Sequence, residues 1–224
     1  MIRKHLLAVD PSLTASGWVL FSLDDALPKA AGVISPPGSE QLLVQRFNFL
    51  QLAVTEVLRK LNLGTGDLLV CEGPAPLVRN PQSALKVEGV RGVFETVARS
   101  MGVQVPGRVN PRTVQSEILG MRGKQLARVT VKDWARRSAM QLYGSQLERI
   151  LASGGNGQGV RKIPQDIIDA ALIGALAVAR VQLALKSGAS IDDVFAAQGS
   201  RRRSWGSRKS SGWTEAEVRK RFPA

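Results

Sequence analysis

The stretch His5-Leu6-Leu7-Ala8-Val9-Asp10-Pro11-Ser12 constrains this chain most. Apolar residues run up to a single carboxylate, Pro11 and Ser12 break the extended run, and Gly17-Trp18-Val19-Leu20-Phe21 opens another. Strand, tight turn, strand is the pattern spelled here. It leaves one acid at the C-terminal end of a buried strand, where α/β sheets place ligands. A carboxylate buried there must be paired or bind a cation, because an unpaired one is costly. Two readings of Asp10 stay open from this stretch: a cation ligand, or an acid that only hydrogen-bonds its own turn.

Asp67-Leu68-Leu69-Val70-Cys71-Glu72 repeats the pattern, a second apolar run ended by an acid. Elimination narrows the chemistry. Cys71 is the only cysteine and His5 the only histidine, which removes a disulfide framework and Cys- or His-rich metal sites and argues against a serine-type triad. Cys71 itself reads as a small core residue. Any metal would be held mainly by Asp and Glu, oxygen donors that favour magnesium or manganese over zinc. The net charge of +13 and a pI near 10.8 point to a polyanionic partner, nucleic acid first and an anionic membrane second. No apolar run is long enough to predict a membrane span. The N-terminus, with Arg3 and Lys4 ahead of a run that stops at Asp10, does not read as a signal peptide. The expected location is the cytoplasm.

Read in order, the apolar runs at about 4–10, 16–23 and 29–35 predict an antiparallel meander. Leu43, Phe47, Leu50, Val54, either Val57 or Leu58, and Leu61 recur at three- and four-residue spacing and predict a helix over about 40–61. After the strand ending at Glu72, Asn80-Pro81 caps a helix to about Met101. Val103 to Val109 predicts a fifth strand, placed at the sheet edge by Pro106. Asn110-Pro111 caps a short helix to about Leu119, residues 120–124 form a loop, and a helix over about 130–143 is followed by Gly144. The glycine-rich stretch 153–159 predicts a linker or loop. Pro164 then opens an apolar, alanine-rich helix over about 165–187. From Ser200 to Ala224, eight basic residues stand against two acids, a net +6 of the +13. This predicts a disordered basic tail. The expected fold class is α/β: a mixed five-stranded sheet with helices on both faces over 1–190, plus the tail at 200–224.

Three acidic sites stand out on that framework: Asp10, Glu72, and the pair Asp166 and Asp169. The pair lies three apart in the first turn of a helix, so both side chains point the same way. The helix dipole alone accounts for many such pairs. Three buried elements carrying acids to one edge are harder to explain without a cation.

The segments Asp10-Pro11-Ser12-Leu13-Thr14-Ala15-Ser16-Gly17-Trp18, then Glu72, then Asn80 with Ser83-Ala84-Leu85-Lys86 to Arg91-Gly92, then Asn110-Pro111-Arg112-Thr113-Val114, then Asp166-Ile167-Ile168-Asp169-Ala170-Ala171-Leu172, in this order and spacing, resemble the RuvC-like Holliday junction resolvases. The resemblance covers about residues 4–185. It implies an RNase H-like fold, a homodimer, and an endonuclease that resolves four-way DNA junctions by paired nicks. It implies two Mg2+ or Mn2+ ions per active site, held by Asp10, Glu72, Asp166 and Asp169, with Asp10 as the bridge. In that chemistry two metals about 4 Å apart stabilise the attacking and leaving oxygens of a phosphodiester. Lys132 matches a family lysine near the scissile phosphate; an exposed helix lysine is the equal alternative. Asn80, Lys86, Arg91, Arg112 and Lys124 are the expected DNA contacts, with Arg99, Arg108 and Arg122 as further cations near the cleft.

Two departures matter. Gly73-Pro74-Ala75-Pro76-Leu77-Val78 carries none of the phenylalanines that many members place after the strand-end glutamate. Gln115 and Ser116 replace lysines usual in the cellular enzymes. Together with the tail, these suggest a divergent, phage-type member. The competing readings are a nuclease of this fold acting on flaps or RNA–DNA hybrids, a non-catalytic junction-binding protein, and an actin-like kinase or ATPase. The last lacks the length and the second glycine-rich phosphate loop it needs.

Overall fold

The computed structural model describes residues 4–74, 80–121, 127–153 and 162–200, the last five by backbone alone. Its centre is a five-stranded mixed sheet in the order β3-β2-β1-β4-β5. β1 (His5–Asp10), β2 (Ser16–Ser22) and β3 (Pro28–Ile34) form the expected antiparallel meander. β4 (Leu68–Glu72) lies parallel to β1, and β5 (Arg108–Val109) lies parallel to β4.

Alternation along the strands divides the core. Leu6 and Ala8 with Val19, Phe21, Leu68 and Val70 face one cluster, while Leu7 and Val9 with Leu20, Leu69 and Cys71 face the other. The first face is covered by α3 (Pro111–Glu117), α4 (Arg128–Ser153), α5 (Gln165–Ser187) and α6 (Ile191–Ser200). The second is covered by α1 (Leu43–Lys60) and α2 (Pro81–Ser100). The central strands β1 and β4 are thus buried on both faces, which is why they read as continuous apolar runs.

Several boundaries differ from the sequence expectation. α1 starts at Leu43 rather than near 40. The fifth strand shrinks to two residues, with Gln104 making only an isolated bridge to Leu68. α4 does not stop at 143 but runs through Gly144, which is buried and in contact with Met140. One mid-helix glycine costs only about 1 kcal/mol, less than the packing on either side returns. α6 was not anticipated; Ile191 and Phe195 bury in the first cluster, so the core continues past 190. α5 does reach the length and apolarity of a membrane span, contrary to expectation, yet 67% of its apolar window is buried inside the protein. The segment 75–78, the glycine-rich stretch from 154, Arg122, Lys124 and the tail from 201 lie outside the described residues.

Candidate active site

The acids are brought together by strand register and one glycine. β1 and β4 run parallel with Val9 beside Cys71, so the next residue of each strand, Asp10 and Glu72, sits at the same sheet edge. On the other side Asp10 pairs with Gly17 of β2. A Cβ on Gly17 would lie 2.0 Å from the main-chain oxygen of Asp166, so only glycine lets the first turn of α5 press onto β2 there. Asp166 and Asp169 therefore arrive beside Asp10 as a pair on one helical face.

Their electrostatics record the crowding. Burial, then the charges of Asp169 and Asp166, push the Asp10 carboxyl up to about 7, against a hydrogen bond with Glu72 and the charge of Arg91. Burial, then Asp10 and Asp169, push Glu72 up to about 8. The two carboxyls share a hydrogen bond and titrate as a pair, both raised by burial and by the charge of neighbouring acids. Asp169 is also raised by burial, opposed by a hydrogen bond from Gln165 and the charge of Lys132. Lys132 is exposed near the start of α4.

Among the described residues, no three acidic, His or Cys side chains form a ready-made ligand cage. The donor set nonetheless suits a hard divalent cation. It is all carboxylate oxygen, and the mutual repulsion among these acids that adds to burial in raising Asp10 and Glu72 is what a cation between them would relieve.

No protein-family model matches this sequence, and no curated protein matches it. Solved structures do. Two structures of Thermus thermophilus RuvC, one of them in complex with a Holliday junction substrate, superpose with a TM-score of 0.58 over 80% of this chain and 96% of theirs, at 17% and 16% identity. The yeast mitochondrial Holliday junction resolvase Ydc2 superposes with a TM-score of 0.52 over 84% of this chain and 83% of its own, at 16% identity. The chain has the RuvC-like, RNase H-like fold.

Within this RuvC-like fold, the expected DNA contacts fare unevenly. Arg91 is a correction. It is 2% exposed, its Nε donates to the Glu72 carbonyl at 2.6 Å, and its Nη1 donates to Glu88. A guanidinium enclosed by protein acceptors cannot also reach phosphate. Arg108 is likewise taken, donating to Glu88 at 2.6 Å and to both oxygens of Glu95 at 2.6 and 3.1 Å. Glu88 lies one turn before Arg91 on α2 and was a legible partner, but the Glu72 carbonyl that encloses Arg91, and the reach of Arg108 to Glu88 and Glu95, are set only by folding. The Asn80 Oδ1 caps α2 through the backbone N–H groups of Gln82 and Ser83, so a DNA contact would fall to its amide nitrogen. Lys86 is exposed on α2 and Arg112 half-buried at the start of α3; Lys124 lies outside the described residues.

The sequence reading also missed Gln165 and Arg136. The Gln165 Nε2 donates to Asp169 Oδ1 at 2.9 Å. Arg136 of α4 donates to the Gln165 Oε1 at 3.1 Å and to the Ile163 carbonyl at 2.9 Å. The spacing of Gln165 and Asp169, four apart on one helix, is a legible signal. Arg136 has none, since it arrives from 29 residues away.

Proposed function

We propose that this chain is a divalent-metal-dependent endonuclease that resolves four-way DNA junctions by paired nicks. The observation that carries the reading is the electrostatic coupling of Asp10 to Glu72, Asp166 and Asp169 at one sheet edge, in a fold shared with junction resolvases. Asp10, Glu72, Asp166 and Asp169 would hold two Mg2+ or Mn2+ ions, with Asp10, flanked on both sides, as the bridge. Bound there, the ions would stabilise the attacking and leaving oxygens of the scissile phosphodiester.

The protein's own groups do the rest. Burial excludes water from the back of the carboxylates. Lys132, whose charge is felt at Asp169, would meet the scissile phosphate. Lys86, Arg112, Lys124 and the Asn80 amide serve as phosphate contacts that fix the strand without reading sequence, and the basic tail adds non-specific affinity. A homodimer would present two such sites for paired nicks. Its proposed interface is the α1–α2 face, where Leu52 and Leu85 are each 72% exposed. The compartment proposed is the cytoplasm of a bacterial or phage-infected cell.

The test compares cleavage of a four-way junction, a flap, an RNA–DNA hybrid and linear duplex, each with Mg2+ or Mn2+ and again with chelator. Metal-dependent paired nicking of the junction alone is expected. Preference for flap or hybrid changes the substrate class, and tight junction binding without cutting in any metal removes the enzyme.

A further inference from the structure

We infer that Gln165, held by Arg136, is a positioning residue that decides which oxygen of Asp169 faces the cation site. This rests on the nuclease reading above and goes beyond it. The Gln165 amide can sit in either of two orientations that differ by half a turn. In one, its NH2 donates to Asp169; in the other, its carbonyl oxygen faces a carboxylate and repels it. Arg136 removes the choice. A guanidinium only donates, so the Gln165 oxygen turns to the Arg136 Nη2 at 3.1 Å and the NH2 turns to Asp169 Oδ1 at 2.9 Å. The second Arg136 nitrogen holds the Ile163 carbonyl at 2.9 Å. That ties α4 to the residue just before Pro164, which provides no side-chain cap to α5. With Oδ1 engaged, Oδ2 is the Asp169 oxygen left to turn toward Asp10 and Glu72. A helix-start contact with no bearing on the site would share this geometry, so the experiment must separate the two.

Mn2+ binding to the full-length protein without DNA, followed by the loss of the free-ion signal in electron paramagnetic resonance, makes that separation. Gln165→Met removes the hydrogen bond with no change of charge. It is expected to weaken Mn2+ binding by roughly tenfold, the usual scale for groups that orient metal ligands, while the metal-free melting temperature and junction binding in chelator stay as in wild type. Gln165→Asn keeps the amide but shortens its reach, and should show the same loss. Arg136→Lys keeps the charge but not the two-pronged grip. It should give a smaller loss, and none beyond that of Gln165→Met when the two are combined. Wild-type Mn2+ affinity in Gln165→Met overturns the inference, as does a loss of affinity matched by a fall in metal-free melting temperature. A wild-type protein that binds no Mn2+ overturns the inference and the metal-dependent reading together. One that binds Mn2+ but cuts nothing ends the nuclease reading alone, and the variants' affinities still decide the role of Gln165.

Discussion

At Glu72 the structure grips the main chain, whereas at Asp169 it grips the side chain. The Glu72 carbonyl accepts from Arg91 at 2.6 Å, and the next amide, Gly73 N–H, donates to the Val109 carbonyl at 2.7 Å. The carboxyl beyond that fixed backbone is left against Asp10, where it is pushed upward to about 8. The Asp169 carboxylate is instead held through a neutral amide, and that hydrogen bond opposes the upward push of burial. The first arrangement uses charges in opposed pairs, Arg91 and Arg108 against Glu88 and Glu95, with Arg99 at the rim at 3.7 Å from Glu95. Such a cluster adds little net field. A chain with a charge of +13 therefore presents fewer cations around its acidic edge than a count of Lys and Arg implies. The contrast also shows two ways to hold an acid ready for a cation: restrict the backbone and let the carboxyl adapt, or restrict the carboxyl and leave one oxygen open.

The largest expected effect removes the acid on which both halves converge. Asp10→Asn should lose cutting while still binding a junction, as read by nicking assays beside gel-shift titrations. A variant that nicks at the wild-type rate takes Asp10 out of the site and leaves the two halves with nothing in common. Next is Arg91→Met, which strands the buried Glu72 carbonyl and one grip on Glu88. A cost of about 2 kcal/mol in urea denaturation is expected, the scale for a buried acceptor left unpaired, with the salt dependence of junction binding unchanged. A flatter salt slope with full stability would return Arg91 to the DNA-contact role and undo the contrast.

A pH trend tests the same pair of acids. Asp10 and Glu72 are raised from 3.8 and 4.5 to about 7 and about 8, so between those limits the folded state holds protons that the unfolded chain has released. The stability this confers is complete below the ordinary carboxyl range and is lost as the pH rises through 7 and 8. Metal-free melting temperature should therefore fall from pH 5 to pH 8. Asp10→Asn or saturating Mn2+ should flatten the fall, and an unchanged slope in both would detach it from this pair of acids.

Much of this was legible in the residues. Apolar runs stopped by Asp10 and Glu72 gave two strands and their ends, because a buried strand tolerates one acid only where it leaves the sheet. Asp166 and Asp169 fell on one helical face because three residues is close to one turn. The register that sets Val9 beside Cys71, and so Asp10 beside Glu72, was not readable, since no local pattern states which strands pair in parallel. Gly17 was visible as a turn residue, but its reason, a backbone oxygen 2.0 Å from the place of a Cβ, belongs to a helix some 150 residues away.

By itself the sequence determined most of the elements, though not α6, and which acids end β1 and β4, because periodicity, caps and breakers act over a few residues. Only the tertiary structure decided which charges are spent on each other. Arg91 looked like a free cation until folding set it under the Glu72 carbonyl, Arg108 until it met Glu88 and Glu95, and Gln165 looked like a helix-start residue until Arg136 reached it from α4. Long side chains choose partners by distance in space, and that distance does not exist until the sheet and its helices have packed.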